Sequence, residues 1–103
     1  MALMQITIIP MGTGTPSVGE YVADVQELLD ARGADYILND MGTEIHAETA
    51  ELMHLACDIH ESPFQRGAER VITQIVIDDR RDKKQGIGDK KDAVLTILKE
   101  KRS

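Results

Sequence analysis

Residues 35–47, "DYILNDMGTEIHA", decide the fold. "DYILND" (35–40) and "GTEIHA" (42–47) are two short runs around a turn at Asp40 to Gly42, the pattern of a β-hairpin. Their flanks give the hairpin its meaning. Upstream, Val18, Tyr21, Val22, Val25, Leu28 and Leu29 fall on one helical face that ends at Gly33. Ser17 and Glu20 supply the S-x-x-E spacing of a capping box at its start. Downstream from Thr49, Leu52, Leu55, Ala56 and Ile59 make a second amphipathic helix, which Pro63 is expected to kink or end and Gly67 to stop.

Two more strands lie outside the helices. In Met4 to Met11, Met4, Ile6 and Ile8 alternate with Gln5, Thr7 and Ile9, the period of a strand with one buried face. "ERVITQIVIDD" (69–79) is the most β-branched run in the chain. The order βαββαβ is that of the split βαβ, or ferredoxin-like, α+β fold, an antiparallel four-stranded sheet with both helices on one face. After a charged loop containing Gly86 and Gly88, Ala93, Val94, Ile97 and Leu98 predict an additional C-terminal helix. Residues 1–103 read as a single domain.

A domain of this size buries only about 60 to 65% of the surface its unfolded chain exposes, so association would add stability. The sheet pattern points the same way. Whichever set of the last strand faces outward, Val71, Thr73, Ile75 and Ile77 or Ile72, Gln74, Val76 and Asp78, apolar β-branched residues stand on the open face. A second subunit is expected to cover part of it.

Net charge of -6 argues against phosphate-backbone binding, so no nucleic-acid partner is expected, while a cationic ligand is admissible. Cys57 is the only cysteine, which leaves no intramolecular disulfide and fits a reducing compartment. The first residues lack a basic n-region, and no run approaches the ~20 apolar residues of a membrane span. We therefore expect a cytoplasmic protein with no membrane partner.

"IIPMGTGTPSVGEY" (8–21) narrowly misses two nucleotide signatures. Gly14 and Gly19 have the P-loop spacing, but Glu20 stands where the phosphate-binding lysine belongs. Gly12 and Gly14 open a GxGxxG in which Ser17 replaces the last glycine. The loop needs another purpose.

"IIPMGTGTPSVGEYV", "LNDMGTEI" and "AERVITQIVIDDRRDK" follow one another in the order and spacing of the YkoF-like thiamine-binding family, which this chain resembles over about residues 4–84. The resemblance implies a ferredoxin-like fold, a homotetramer built as a dimer of dimers, and binding of thiamine or its hydroxymethylpyrimidine half without a chemical step. It also implies a carrier or sensor, with no catalytic residue and no cofactor. The chain departs from the pattern in reading Asn39-Asp40-Met41-Gly42-Thr43 where the family often has proline second, in His46 and Ala47 where Glu-Gly is common, and in Pro63 within the second helix.

The fold places the end of the first strand and the start of the third at the same edge, so the MGT at 11–13 and the MGT at 41–43 are expected to lie close together. Thr13, Ser17, Asn39, Met41, Gly42 and Thr43 are the candidate ligand-binding residues. Hydroxyls and an amide supply edge hydrogen bonds to an aminopyrimidine, glycine allows close approach, and methionine supplies a polarizable wall. In the plainer reading, Ser17 caps a helix, the glycines turn the chain and the methionines fill the core.

Asp78 to Asp82 is the other unusual cluster, and Arg80 and Arg81 are assigned first to subunit contacts, with binding of a phosphate ester as the alternative. His54, Cys57 and His60 are each three residues apart, so only two can readily share an ion, and no metal is expected. Neither a base nor an oxyanion turn accompanies Cys57. The loop after the first strand carries no arginine of the kind an acylphosphatase-like hydrolase would need. The second functional reading is an oligomeric regulatory or interaction module that binds a different small heterocycle or no ligand.

Overall fold

The computed structural model describes residues 1–103. The elements are β1 (Ala2–Met11), α1 (Gly19–Ala31), β2 (Asp35–Asn39), β3 (Gly42–Ala47), α2 (Thr49–Gln65), β4 (Arg70–Asp78) and α3 (Asp89–Arg102). The strands form one sheet in the order β2-β3-β1-β4, antiparallel at every step, which is the ferredoxin-like arrangement.

Register follows from the apolar alternation of β1. Met4 stands opposite Ile45 on one side and Ile77 on the other, and Ile6 opposite Thr43 and Ile75. A slip of one residue would turn this whole set to the wrong face. Ala2, Met4, Ile6 and Ile8 therefore pack beneath Val25 and Leu29 of α1 and Leu52, Leu55 and Ile59 of α2 in one buried core. Pairing puts Val71, Thr73, Ile75 and Ile77 of β4 on this inner side and leaves Ile72, Gln74, Val76 and Asp78 outward. Ile72 is 39% and Val76 67% exposed, so the outward face carries uncovered apolar side chains.

Three local expectations change. Val18, not Ser17, holds the N-cap of α1, and no side chain caps it. The Ser17 amide donates instead to Thr15 Oγ1 at 3.2 Å, while Glu20 turns to Arg66, which also bonds Asp24. Charge-assisted bonds to a guanidinium outcompete the reciprocal capping arrangement. Pro63 does not break α2, which continues to Gln65. A proline there removes one hydrogen bond in a last turn, and its ring is fully buried in return. Finally, α3 forms, but it buries none of its residues. Val94 and Ile97 are more than half exposed, so its apolar stripe finds no partner within the chain.

Candidate functional site

A pocket of about 240 Å³ opens between α1 and the β3 side of the sheet. Its apolar wall comes from Val18, Val22 and Val25 of α1, Ile6 and Ile8 of β1, and Ile59 of α2. Leu38 through Thr43, the hairpin of β2 and β3 with its two-residue loop Asp40-Met41, forms the polar lip.

Side-chain bonds hold this lip. Thr7 Oγ1 donates to the Met41 carbonyl at 3.0 Å and ties the hairpin tip to β1. Gln26 of α1 donates through Nε2 to Thr43 Oγ1 at 3.1 Å, linking the helix to β3. Thr43 is almost fully buried, and because its oxygen accepts from Gln26, its own hydroxyl proton remains available as a donor. The buried Gln26 Oε1 has no partner. Gly42 has a steric reason to be glycine: a Cβ there would stand 2.8 Å from Thr7 Oγ1 and 3.2 Å from the Ile6 carbonyl oxygen.

Asn39, Met41, Gly42 and Thr43 all line the pocket, whereas Thr13 and Ser17 do not. The two MGT segments are offset because β1 runs on past β3. Its last β3 partner is Ile6, facing Thr43, whereas Met11 pairs with Arg70 of β4. At about 3.3 Å per residue, the four steps from Thr7 to Met11 separate the segments by roughly 13 Å along the strand. Gly12 and Gly14 then take positive φ in a loop where Thr13 Oγ1 donates to the Thr15 carbonyl at 2.8 Å. That loop leads into Val18 and so joins the pocket wall at its helix end.

The sequence reading omitted Thr7, Val18, Val22, Val25, Gln26 and Asp40. Gln26 was legible as an amide beside the apolar stripe of α1, and Asp40 as the acidic neighbour of the second MGT. Thr7 carried only a general signal, as one of the polar residues on the open face of the first strand that could line a ligand site.

The remaining candidates lie elsewhere. Arg80 is paired with Asp82 and Arg81 with Asp79, each across two residues. The Arg80 guanidinium holds the Asp82 carboxyl down to about 2. His60 Nδ1 lies 2.7 Å from Thr73 Oγ1 and its ring meets Phe64 edge-on at 5.5 Å, so it bridges α2 to β4. No three His, Cys, Asp or Glu side chains converge on one point. No helix is long and apolar enough to cross a membrane.

Comparison with known proteins agrees with the motifs. The model of a family described as thiamine-binding protein matches residues 4–95. The chain is 49% identical over 98 residues to the UPF0045 protein YqgV of Bacillus subtilis, covering 91% of this chain and 94% of that one. It is 40% identical over 95 residues to a UPF0045 protein of Methanothermobacter thermautotrophicus, covering 91% and 96% respectively. The crystal structure of protein MJ1052 from Methanocaldococcus jannaschii superposes with a TM-score of 0.80 at 29% identity, over 90% of this chain and 94% of that one. With its three sequence motifs, its sheet order and these matches in agreement, the chain belongs to the thiamine-binding protein family.

Proposed function

We propose that this protein binds thiamine or its hydroxymethylpyrimidine half in the pocket between α1 and the β2–β3 hairpin, as a carrier or sensor that performs no chemical step. The observation that carries the reading is the convergence of Asn39, Met41, Gly42 and Thr43 on an apolar pocket of about 240 Å³ in a chain of the thiamine-binding family. An aminopyrimidine presents ring nitrogens that accept and an amino group that donates. The free Thr43 proton serves a ring nitrogen, the Asn39 amide both kinds of edge, and the Asp40 carboxylate the amino group. Val18, Val22 and Ile8 provide the flat apolar faces. Thr13 and Ser17 belong, in this reading, to the mouth formed by the loop that enters α1, where the rest of the ligand emerges. The acidic net charge favours the thiazolium cation.

Association belongs to the same reading. The outward Ile72 and Val76 and the bare stripe of α3 suit burial against further copies, as a dimer of dimers. Cytoplasmic location fits the single free cysteine.

Calorimetric titration with thiamine and with hydroxymethylpyrimidine, alongside light scattering for mass, tests the proposal. Saturable binding at one ligand per chain or per dimer is expected. Absence of heat and of a melting shift with both ligands overturns the thiamine reading in favour of an oligomeric module with another ligand or none.

A further inference from the structure

At the opposite end of β3 from Gly42, the chain builds a second concavity unrelated to the pyrimidine pocket. Residues after β4 turn back beside the start of β1, and Arg80, Arg81, Lys83 and Lys84 surround an open hollow of about 740 Å³ together with Met1. The charge there opposes that of the molecule. Four cationic side chains line the hollow together with the Asp89 carboxylate, in a chain of net charge -6, while the N-terminal ammonium beside it is paired with Glu48 at 3.9 Å. Arg80 and Arg81 are neutralised in part by Asp82 and Asp79, but Lys83 and Lys84 have no ion-pair partner.

The interior of the hollow adds an observation independent of the cations. Gln85 is 8% exposed; its Nε2 donates to the Asp78 carbonyl at 2.9 Å, and its Oε1 has no partner. The neighbouring His46 places Nδ1 3.2 Å from Asp35 Oδ2 and leaves the buried Nε2 without a partner. The bond from Nε2 fixes the Gln85 amide, so its oxygen must accept, and a buried acceptor in a folded protein normally meets a donor. Both residues line the hollow.

A cationic rim over unfilled hydrogen-bonding groups suits an oxyanion that also carries a hydroxyl proton. Hydrogen phosphate, and a phosphate monoester in its monoanionic form, have that combination: charged oxygens for lysine and arginine, and an O–H for Gln85 Oε1. We propose that the hollow framed by Lys83, Lys84, His46 and Gln85 is a binding site for a phosphoryl group, separate from the pyrimidine pocket. The group comes either from free inorganic phosphate or diphosphate or from the phosphate end of a small phosphorylated metabolite. The site does not depend on the thiamine reading, because no lining residue is shared with that pocket.

Titration of the full chain with inorganic phosphate and diphosphate at low ionic strength, followed by calorimetry and by NMR of the His46 ring and the Gln85 side-chain amide, tests this. Saturable binding at one anion per chain with movement of both resonances is expected. Lys83→Glu with Lys84→Glu should weaken it at least tenfold, whereas Lys99→Glu with Lys101→Glu, an equal charge change at the far end of α3, should leave it nearly unchanged. Equal weakening by the two pairs reduces the effect to net charge and overturns the site. So does binding that leaves His46 and Gln85 unmoved, or no saturable binding by the unaltered chain. Comparison of inorganic phosphate with glycerol phosphate separates the two sources: tighter binding of the ester identifies a metabolite, and equal or weaker binding identifies the free anion.

Discussion

Thr7 and Gly42 lie side by side on adjacent strands so closely that a single added methyl at 42 would fall 2.8 Å from Thr7 Oγ1. The same hydroxyl donates to the Met41 carbonyl, so the contact that demands glycine also anchors the tip of the hairpin. A requirement for a small residue is thereby coupled to the shape of the pocket lip.

Gly42→Ala is expected to destabilise the protein by about 1 to 3 kcal/mol, the usual cost of overpacking a tight contact. The threonine is β-branched and cannot swing away freely. Thr7→Ala should restore part of this stability in the double variant, although it also removes the bond to Met41. A double-mutant cycle in urea measures the coupling, and strictly additive effects would show that the Thr7 contact does not set the cost.

Thr43→Val keeps the shape of the side chain but removes the acceptor of the Gln26 amide and the free donor of the pocket. Loss of one hydrogen bond is worth about 1 kcal/mol, so a fall of that size in stability and a loss of about tenfold in thiamine affinity are expected. Gln26→Met should reproduce the stability loss with a smaller effect on affinity, because Gln26 does not line the pocket. Unchanged affinity in Thr43→Val would remove its hydroxyl from the site.

Asp24 accepts two hydrogen bonds from Arg66, at 2.7 and 2.8 Å, and the guanidinium holds its carboxyl below the ordinary 3.8. A depressed folded-state value means that the interaction contributes fully above 3.8 and is lost as pH falls through the lower folded value. Asp24→Asn should therefore lower the melting temperature at neutral pH, by an amount equivalent to at most about 1 kcal/mol for a pair this close to solvent. The gap between variant and parent should close in strong acid. A gap that persists there would assign the loss to packing.

Val76→Asp is expected to halve or quarter the mass measured by light scattering if the outward face is a subunit interface. Val76 is 67% exposed within one chain, so the substitution should cost the isolated domain no more than about 0.5 kcal/mol. An unchanged mass, whether monomeric or oligomeric, would show that this part of the sheet is not the interface.

The element order, the buried face of β1 and the amphipathic faces of α1 and α2 were legible in sequence because each is written in local periodicity, two residues for a strand and 3.6 for a helix. The motifs "PMGTGTPS" and "DMGTEI" likewise carried the family without coordinates. Long-range register decided the rest. Only the pairing of Ile6 with Thr43 reveals that Met11 overshoots β3, so that the second MGT enters the pocket wall while the first extends into a loop. The capping box failed for the same reason, since Arg66, 46 residues from Glu20, competes for its carboxylate. His46 and Gln85, 39 positions apart, line one hollow only because β3 ends beside the chain returning from β4. Local spacing thus determined what each segment becomes, and the antiparallel register, which depends on contacts between distant segments, determined which side chains share a site.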